Sequence, residues 1–264
     1  MLNNSFIQNY RLDLCYCGVK FKGSQYQPRL RTVEGELVRA LSGLYKTEIK
    51  LIMAGRTDTE VHAGHQAAHF FANPVVPVDV IGRQLNKMLP NDIRITAVTC
   101  VESGFHARFS AKAREYHYCF SAQEVPVLMR HCVASIDFEP NLEVLNKVAK
   151  VFVGRKNFRN FSNRGSAESS WIRDVYDCCI EKQTFVESVS GVSFPVYRLK
   201  IIANAFLYRM VRCIVGAIWC TVQGKVSEQE IVQAFEDGAK KPIYVLAPPN
   251  GLTLAKIYYE EFTR

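Results

Sequence analysis

The sequence lacks a long apolar run, a paired cysteine motif and a glycine-rich loop that could cradle a phosphate. Its longest apolar run, Cys213 to Val222, is far short of the about 20 residues that a membrane span needs. The nine cysteines are scattered and never spaced C-x-x-C, which favours reduced thiols over a zinc site or a disulfide scaffold. Residues Met1 to Tyr10 have neither a basic start nor a long apolar core. We therefore expect a soluble, cytoplasmic protein with no secretory signal.

The composition is that of a globular protein with a basic surface. The chain is 48% hydrophobic and 22% charged, a composition that argues against disorder. Its 264 residues are enough for one large domain or two smaller halves. Lysine and arginine total 33 against 25 acidic residues, a formal net charge of +8. This excess favours an anionic partner such as nucleic acid, although many basic enzymes bind none.

The stretch from Ala54 to Phe70 holds the densest group of residues that could do chemistry. Apolar and alternating segments on either side of it predict a strand, a polar loop and a second strand. Four ionisable side chains of catalytic type fall within eight residues: Asp58, Glu60, His62 and His65. A loop held between two strands is a rigid place for a catalytic group, so the candidate active site is predicted here.

The order of predicted elements indicates an α+β protein made of two similar halves. We expect residues 1–125 to form an N-terminal half and residues 126–264 a C-terminal half, each alternating strands with helices. Thr32 caps a predicted helix from Val33 to Tyr45, and a mostly apolar helix is predicted from Phe206 to Val222. The strand Ala113 to Phe120 places Tyr116 and Tyr118 on one face.

A basic segment from Gly18 to Arg31 interleaves cations with the aromatic residues Phe21 and Tyr26. Such a mixture suits a groove for nucleic acid, and it also suits an ordinary solvated loop. The candidate RNA-binding residues are Lys20, Lys22, Arg29 and Arg31.

Several motifs, in order along nearly the whole chain, resemble those of the tRNA pseudouridine synthase I (TruA) family. They are Ala54 to Asp58 with Val61 to Ala63, which resembles AGRTDxGVHA, then Phe105 to Ser110 with Ala113 to Tyr116, Asn204 to Phe206 with Met210 to Gly216, and Gly251 with Leu252. The resemblance implies the pseudouridine synthase fold, with two RRM-like α/β sandwich halves sharing a mostly antiparallel sheet. It also implies a homodimer whose basic cleft binds the tRNA anticodon stem-loop. Isomerising uridine exchanges no electrons, phosphoryl groups or water, so we expect neither a cofactor nor a metal.

The resemblance also assigns roles to individual residues. It implies that Asp58 is the catalytic aspartate, that Tyr116 packs on the uracil, that Arg212 pairs with the aspartate and that Leu252 lines the pocket. The chemistry of these residue types agrees, because an ionised carboxylate can stabilise the positive charge of a breaking glycosidic bond, attack the anomeric carbon or abstract a ribose proton. A desolvated aspartate needs a cation to stay ionised, and Arg56 is a second candidate for contact with the RNA or the flipped nucleotide.

Other interpretations of the same residues remain open. His62, His65 and His69 could bind zinc with Asp58, and Asp58 with Glu60 could form a glycosidase pair. The chain could also be a paralogue that modifies other uridines or another RNA such as rRNA, or an RNA-binding protein that kept the fold without catalysis.

The sequence departs from the family pattern at three places. Cys17 replaces the Asp of YDG, a Trp is lost in the segment Gly23 to Gln27, and Glu60 replaces the Gly of TDxGVH. Glycine at such a turn usually provides a positive φ or a close approach, so we expect some backbone strain at Glu60.

Overall fold

The computed structural model describes residues 7–163, 170–236 and 244–260. The expectation about residues 1–10 therefore falls partly outside the described residues. In chain order the strands and α-helices are β1 Gln8–Tyr16, α1 Val33–Tyr45, β2 Leu51–Met53, β3 His62–Ala72, α2 Val78–Met88, β4 Ile93–Val101, β5 Ala113–Ser121, β6 Ala134–Ser135, α3 Leu142–Lys150, β7 Gly154–Asn157, β8 Ile172–Val186, β9 Ser193–Ala203, α4 Met210–Val222, α5 Glu228–Glu236 and β10 Leu252–Tyr258. Among these described helices, none has both the length and the apolar character needed to cross a membrane.

The described residues divide into two compact units. One consists of residues 7–112 and 254–260, and the other of residues 113–163, 170–236 and 244–253. The boundary thus falls before β5, whereas the sequence analysis places it at residue 125. The reason is that β5 pairs with β9 from Arg114 to Phe120, so its partners lie far along the chain. The end of β10 belongs to the first unit, where the Ile257 N–H donates to His65 Nδ1.

The first unit follows the β-α-β-β-α-β order of RRM-like and ferredoxin-like domains. Its strands lie in the order β4-β1-β3-β10, with β2 also paired to β3, and the pairings of β1 with β3 and β4 are antiparallel. Helix α1 begins where Thr32 Oγ1 accepts the Gly35 N–H, as the sequence predicts. The core buries apolar side chains of both helices and the central strands: Leu12, Leu14, Leu37, Leu41, Phe70, Ile81 and Leu85.

The second unit repeats this alternation with a sheet in the order β5-β9-β8-β7. Its long pairings are antiparallel, and the short strand β6 runs parallel to β5. Helix α4 is buried along most of its length, which confirms the prediction. It begins at Met210 rather than at Phe206 because Arg209 has a φ of 61°, which is incompatible with a right-handed helix. The predicted α+β class with a mostly antiparallel sheet is confirmed.

Candidate active site

In the first unit, Asp58 lies in the loop between β2 and β3. Its side chain is half-buried, and that of Arg56 is exposed. The loop closes on itself through the Val61 N–H, which donates to the Asp58 carbonyl at 3.2 Å. At its start, the Ala54 N–H donates to the Ala67 carbonyl of β3 at 2.8 Å. The backbone on both sides of Asp58 is therefore fixed by hydrogen bonds.

Buried hydroxyl groups from another segment hold the same loop. Thr57 N–H donates to Ser24 Oγ at 2.8 Å, and Ser24 N–H donates back to the Thr57 carbonyl at 3.1 Å. The Tyr16 hydroxyl is hydrogen-bonded to Thr57 Oγ1 at 2.8 Å, and burial raises the pKa of Tyr16 to about 12, so the phenol keeps its proton. The sequence carries no local signature of these hydroxyl groups, because they lie up to 41 positions apart.

Gly18, the first residue of the basic segment, lets the chain come close to the end of the Asp58 loop. A Cβ at Gly18 would lie 2.1 Å from the Val61 carbonyl oxygen, which no side chain permits. The neighbouring imidazole of His62 accepts the Gly18 N–H through Nδ1 at 3.2 Å. Both ends of the loop thus depend on the segment between Gly18 and Ser24.

Glu60 has a φ of 66°, in the left-handed region. The expected backbone strain at this departure from the family glycine is therefore confirmed. The residue is exposed, and its N–H donates to the Phe21 carbonyl at 3.3 Å. The turn keeps the glycine-like conformation although the side chain has changed.

The three histidines proposed as zinc ligands are engaged in the fold through their Nδ1 atoms. His62 accepts the backbone N–H of Gly18, His65 that of Ile257 and His69 that of Ala107, at 3.1 to 3.2 Å. Within the described residues, no group of three or more His, Cys, Asp or Glu side chains could hold a metal ion. The three imidazoles thus connect strands and turns of the first unit.

His65 also connects β3 to β1. Its Nε2 lies 2.8 Å from Asp13 Oδ1 and, because Nδ1 accepts a backbone N–H, Nε2 carries the proton. Burial works to raise the pKa of Asp13, but hydrogen bonds from His65 and Arg11 outweigh it and hold that pKa below its ordinary value. Asp13 therefore stays ionised at neutral pH.

The basic segment divides into exposed and engaged residues. Lys20, Lys22 and Arg29 are exposed. Arg31 instead makes a two-bond pair with Asp92 at 2.8 and 2.9 Å, and its guanidinium lies 4.2 Å from the centre of the Phe21 ring. Arg31 thus has a structural role that its place among the basic residues did not reveal.

In the second unit, Tyr116 lies on β5 and only 7% of it is exposed. Its ring contacts Phe206 edge-to-face, with the centroids 5.0 Å apart. The loop that carries Phe206 is held in turn by Asn204, whose side-chain oxygen accepts the N–H groups of Asp174 and Ala205. The orientation of the Tyr116 ring is therefore set by packing.

Arg212 lies on α4, is 8% exposed and is fixed by the segment that leads to Leu252. Its Nε donates to the Ala247 carbonyl at 2.7 Å, and the Ala247 N–H donates to the Arg212 carbonyl at 3.3 Å. A Cβ at Gly216 would lie 1.8 Å from the Val245 carbonyl oxygen, so the helix and this segment are in backbone contact. Leu252, at the start of β10, is 5% exposed.

Comparison with known proteins agrees with the motifs found in the sequence. A family model described as tRNA pseudouridine synthase matches residues 148–260. The chain is 36% identical to tRNA pseudouridine synthase A of Thermoanaerobacter sp. (strain X514) over 256 residues, which cover 96% of this chain and 100% of that protein. It is 33% identical to the protein of the same name from Acetivibrio thermocellus, covering 96% and 100%, and 32% identical to that of Bacillus subtilis (strain 168), covering 95% and 98%. The chain therefore belongs to the tRNA pseudouridine synthase A (TruA) family.

Proposed function

We propose that this chain isomerises uridine to pseudouridine in the anticodon stem-loop of tRNA, with Asp58 as the nucleophile. Membership of the family gives the enzyme class, a tRNA pseudouridine synthase. The observation that carries the residue assignment is the rigid loop around Asp58, whose backbone is fixed on both sides while the residue is only half-buried. A carboxylate held in this way meets a substrate with little loss of freedom.

The reaction requires a group that can support a glycosidic bond as it breaks. The N-glycosidic bond of uridine is cleaved, the uracil turns, and its C5 carbon joins the ribose in place of nitrogen, so no atom is gained or lost. A carboxylate stabilises the positive charge that develops on the sugar, and it can form a covalent bond with a carbon of the substrate. In this proposal Asp58 does so without a cofactor or metal.

The other proposed roles follow from the needs of an aspartate and of an extruded base. Arg212 supplies the cation that keeps Asp58 ionised, since desolvation alone favours the neutral acid. Arg56, which is exposed, contacts the RNA backbone or the flipped nucleotide. The target uridine leaves its stack, so the ring of Tyr116 packs on the uracil and Leu252 forms an apolar wall. These roles rest on the family resemblance, and within the second unit Tyr116 packs on Phe206 while Arg212 donates to the Ala247 carbonyl.

The wider binding surface is proposed from charge. Lys20, Lys22 and Arg29 are exposed on one segment of a chain with a net charge of +8, which suits contacts with phosphates. Arg31 is left out, because Asp92 and Phe21 engage its guanidinium. A homodimer and a cytoplasmic location belong to the same proposal, through the family resemblance.

The test is a comparison of two carboxylate-to-amide variants in one loop. Asp58→Asn is expected to lower the rate of pseudouridine formation in an anticodon stem-loop at least about a thousandfold, because the nucleophile is removed. Glu60→Gln, two residues away and exposed, is the matched control and is expected to keep activity. RNA binding by Asp58→Asn should persist.

Each alternative predicts a different result. Activity retained by Asp58→Asn would contradict the site assignment. A folded wild type that binds RNA without forming pseudouridine would favour a non-catalytic RNA-binding protein. Mapping of pseudouridine in bulk tRNA and in rRNA distinguishes the proposed substrate from that of a paralogue, because modification outside the anticodon arm would contradict the proposal.

A further inference from the structure

The turn at residues 105–110, here called the aromatic turn, exposes a large ring that the proposed chemistry does not use. Phe109 is 76% exposed, more than Tyr26 at 58% or Phe71 at 45%. Burial of a phenylalanine ring is favourable, and little of this one is buried within its own unit. An aromatic side chain left in water contributes little to folding, so a role in binding accounts better for its exposed position.

The backbone of the aromatic turn is held by hydrogen bonds at five consecutive N–H groups. The His106 N–H donates to Ser110 Oγ, and the Ser110 N–H donates to the His106 carbonyl, at 3.0 and 2.8 Å. The Arg108 and Phe109 N–H groups donate to His106 Nδ1, and the Ala107 N–H to His69 Nδ1. Phe109 is therefore presented by a turn that is already ordered, which lowers the entropic cost of binding.

The surroundings of the ring are aromatic and basic. The imidazole of His106 stacks on Phe109, with centroids 4.3 Å apart and planes 28° from parallel. The guanidinium of Arg108 lies 5.8 Å from the same ring, and this residue is exposed. Because His106 Nδ1 accepts the N–H groups of Arg108 and Phe109, the imidazole carries its proton on Nε2. A ring flanked by N–H donors and a cation matches the flat surface and the phosphate of a nucleotide.

The aromatic turn lies on the same unit as the Asp58 loop but well away from it. It is attached to β3 at His69, seven residues after His62, where the Asp58 loop ends. At about 3.3 Å per residue, the two points are on the order of 20 Å apart along the strand. A nucleotide on Phe109 is therefore a different nucleotide from the one at Asp58.

We propose that the aromatic turn is a second RNA contact, in which Phe109 stacks on an unpaired nucleobase and Arg108 lies beside a neighbouring phosphate. The inference rests on the proposed function only in taking RNA as the ligand. Its chemistry is independent of sequence, because every base has a π face. It adds affinity and orientation for the substrate, and it contributes no group to bond breaking.

The test is a set of substitutions at Phe109 read by RNA binding. Phe109→Ala is expected to weaken binding of bulk tRNA roughly 5- to 100-fold, the range expected for loss of one stacked base. Phe109→Trp should preserve binding, whereas Phe109→Leu, which is apolar without a π face, should lose most of it. Val189→Ala, 80% exposed in the second unit, is the control and should bind as the wild type does.

A second measurement concerns Arg108 and the kinetics. Arg108→Gln should reduce the slope of log Kd against log salt concentration by the amount expected for the loss of about one phosphate contact. In turnover of the stem-loop, the loss in Phe109→Ala should fall on KM rather than on kcat, because the contact is remote from Asp58.

The outcomes separate this inference from the proposed function. Equal binding by Phe109→Ala and wild type would overturn the RNA contact, whether or not the enzyme modifies tRNA. Weaker binding with an inactive wild type would support the contact and contradict the proposed function. If Phe109→Ala changes the oligomeric state in light scattering and Phe109→Leu does not, the ring is a contact between copies and the inference fails.

Discussion

The loop that carries Asp58 and the helix that carries Arg212 hold their side chains in different ways. In the first unit the loop is held by a few hydrogen bonds to Tyr16 and Ser24, which come from a segment far away in sequence. In the second unit the helix is held by burial and by backbone contact at Gly216. Hydrogen bonds to buried hydroxyls thus position a loop in which Asp58 stays half-buried, whereas the guanidinium of Arg212 is held by close packing and by its bond to the Ala247 carbonyl.

The largest effect is expected from adding one methyl group at the two close approaches. Gly216→Ala should destabilise the protein by about 3 kcal/mol, because the new Cβ would meet the Val245 carbonyl and force the helix and its neighbour apart. Gly18→Ala should destabilise the protein too and, because it displaces the Asp58 loop, should in addition lower kcat about a hundredfold. Urea unfolding and turnover of a stem-loop measure the two effects.

The control for these variants is Gly104→Ala, since no atom lies within 4 Å of the Cβ that it would add. It should leave the free energy of unfolding and kcat near those of the wild type. Stability of Gly216→Ala equal to that of Gly104→Ala would show that the helix does not depend on this close contact.

A smaller effect is expected from removing the hydroxyl of Thr57, the residue directly before Asp58. Thr57→Val leaves the buried Tyr16 hydroxyl without this partner, which should cost about 2 kcal/mol. Thr99→Val, at an exposed position on β4, is the control. In a double-mutant cycle, adding Tyr16→Phe to Thr57→Val should cost less than Tyr16→Phe alone. Additive costs, measured by denaturant unfolding, would mean that the two hydroxyls do not interact.

The smallest effect is expected at the left-handed residues of the first unit. Glu60→Gly should stabilise the protein by about 1 kcal/mol, because glycine adopts a φ of 66° without steric cost. Lys46→Gly, at a φ of 56° just after α1, should give a similar gain away from the loop. Thermal unfolding measures both. A loss of stability in Glu60→Gly alone would indicate that the Glu60 side chain makes a stabilising contact.

Local signals in the sequence predicted the parts of the fold that depend on nearby residues. Helix α1 begins and ends at the predicted residues. Its start depends on a hydrogen bond between residues three positions apart, in which Thr32 Oγ1 accepts the Gly35 N–H. The capping box before α5 likewise joins residues only three positions apart: Ser227 Oγ accepts the Glu230 N–H, and the Glu230 carboxylate accepts the Ser227 N–H. The positive φ of Glu60 followed from the family glycine that it replaces.

The remaining features depend on partners that no local pattern reveals. Arg31 was grouped with the RNA-binding cations, and its partner Asp92 lies 61 positions away. The boundary before β5 depends on pairing with β9, and the hydroxyl group under Asp58 joins three separate segments. The roles of Asp58, Tyr116, Arg212 and Leu252 came from the family resemblance and stay predictions until the variants are measured.

Arg31, which pairs with Asp92 through its side chain, also closes the basic segment into a loop through its backbone. The Lys22 N–H donates to the Arg31 carbonyl at 2.9 Å, so the two ends of residues 22–31 are joined at their base. Residues 25–30, beyond that closure, are exposed. A fluorophore attached at Gln25 would therefore test whether RNA reaches this surface, while leaving the hydrogen-bonded base of the loop intact.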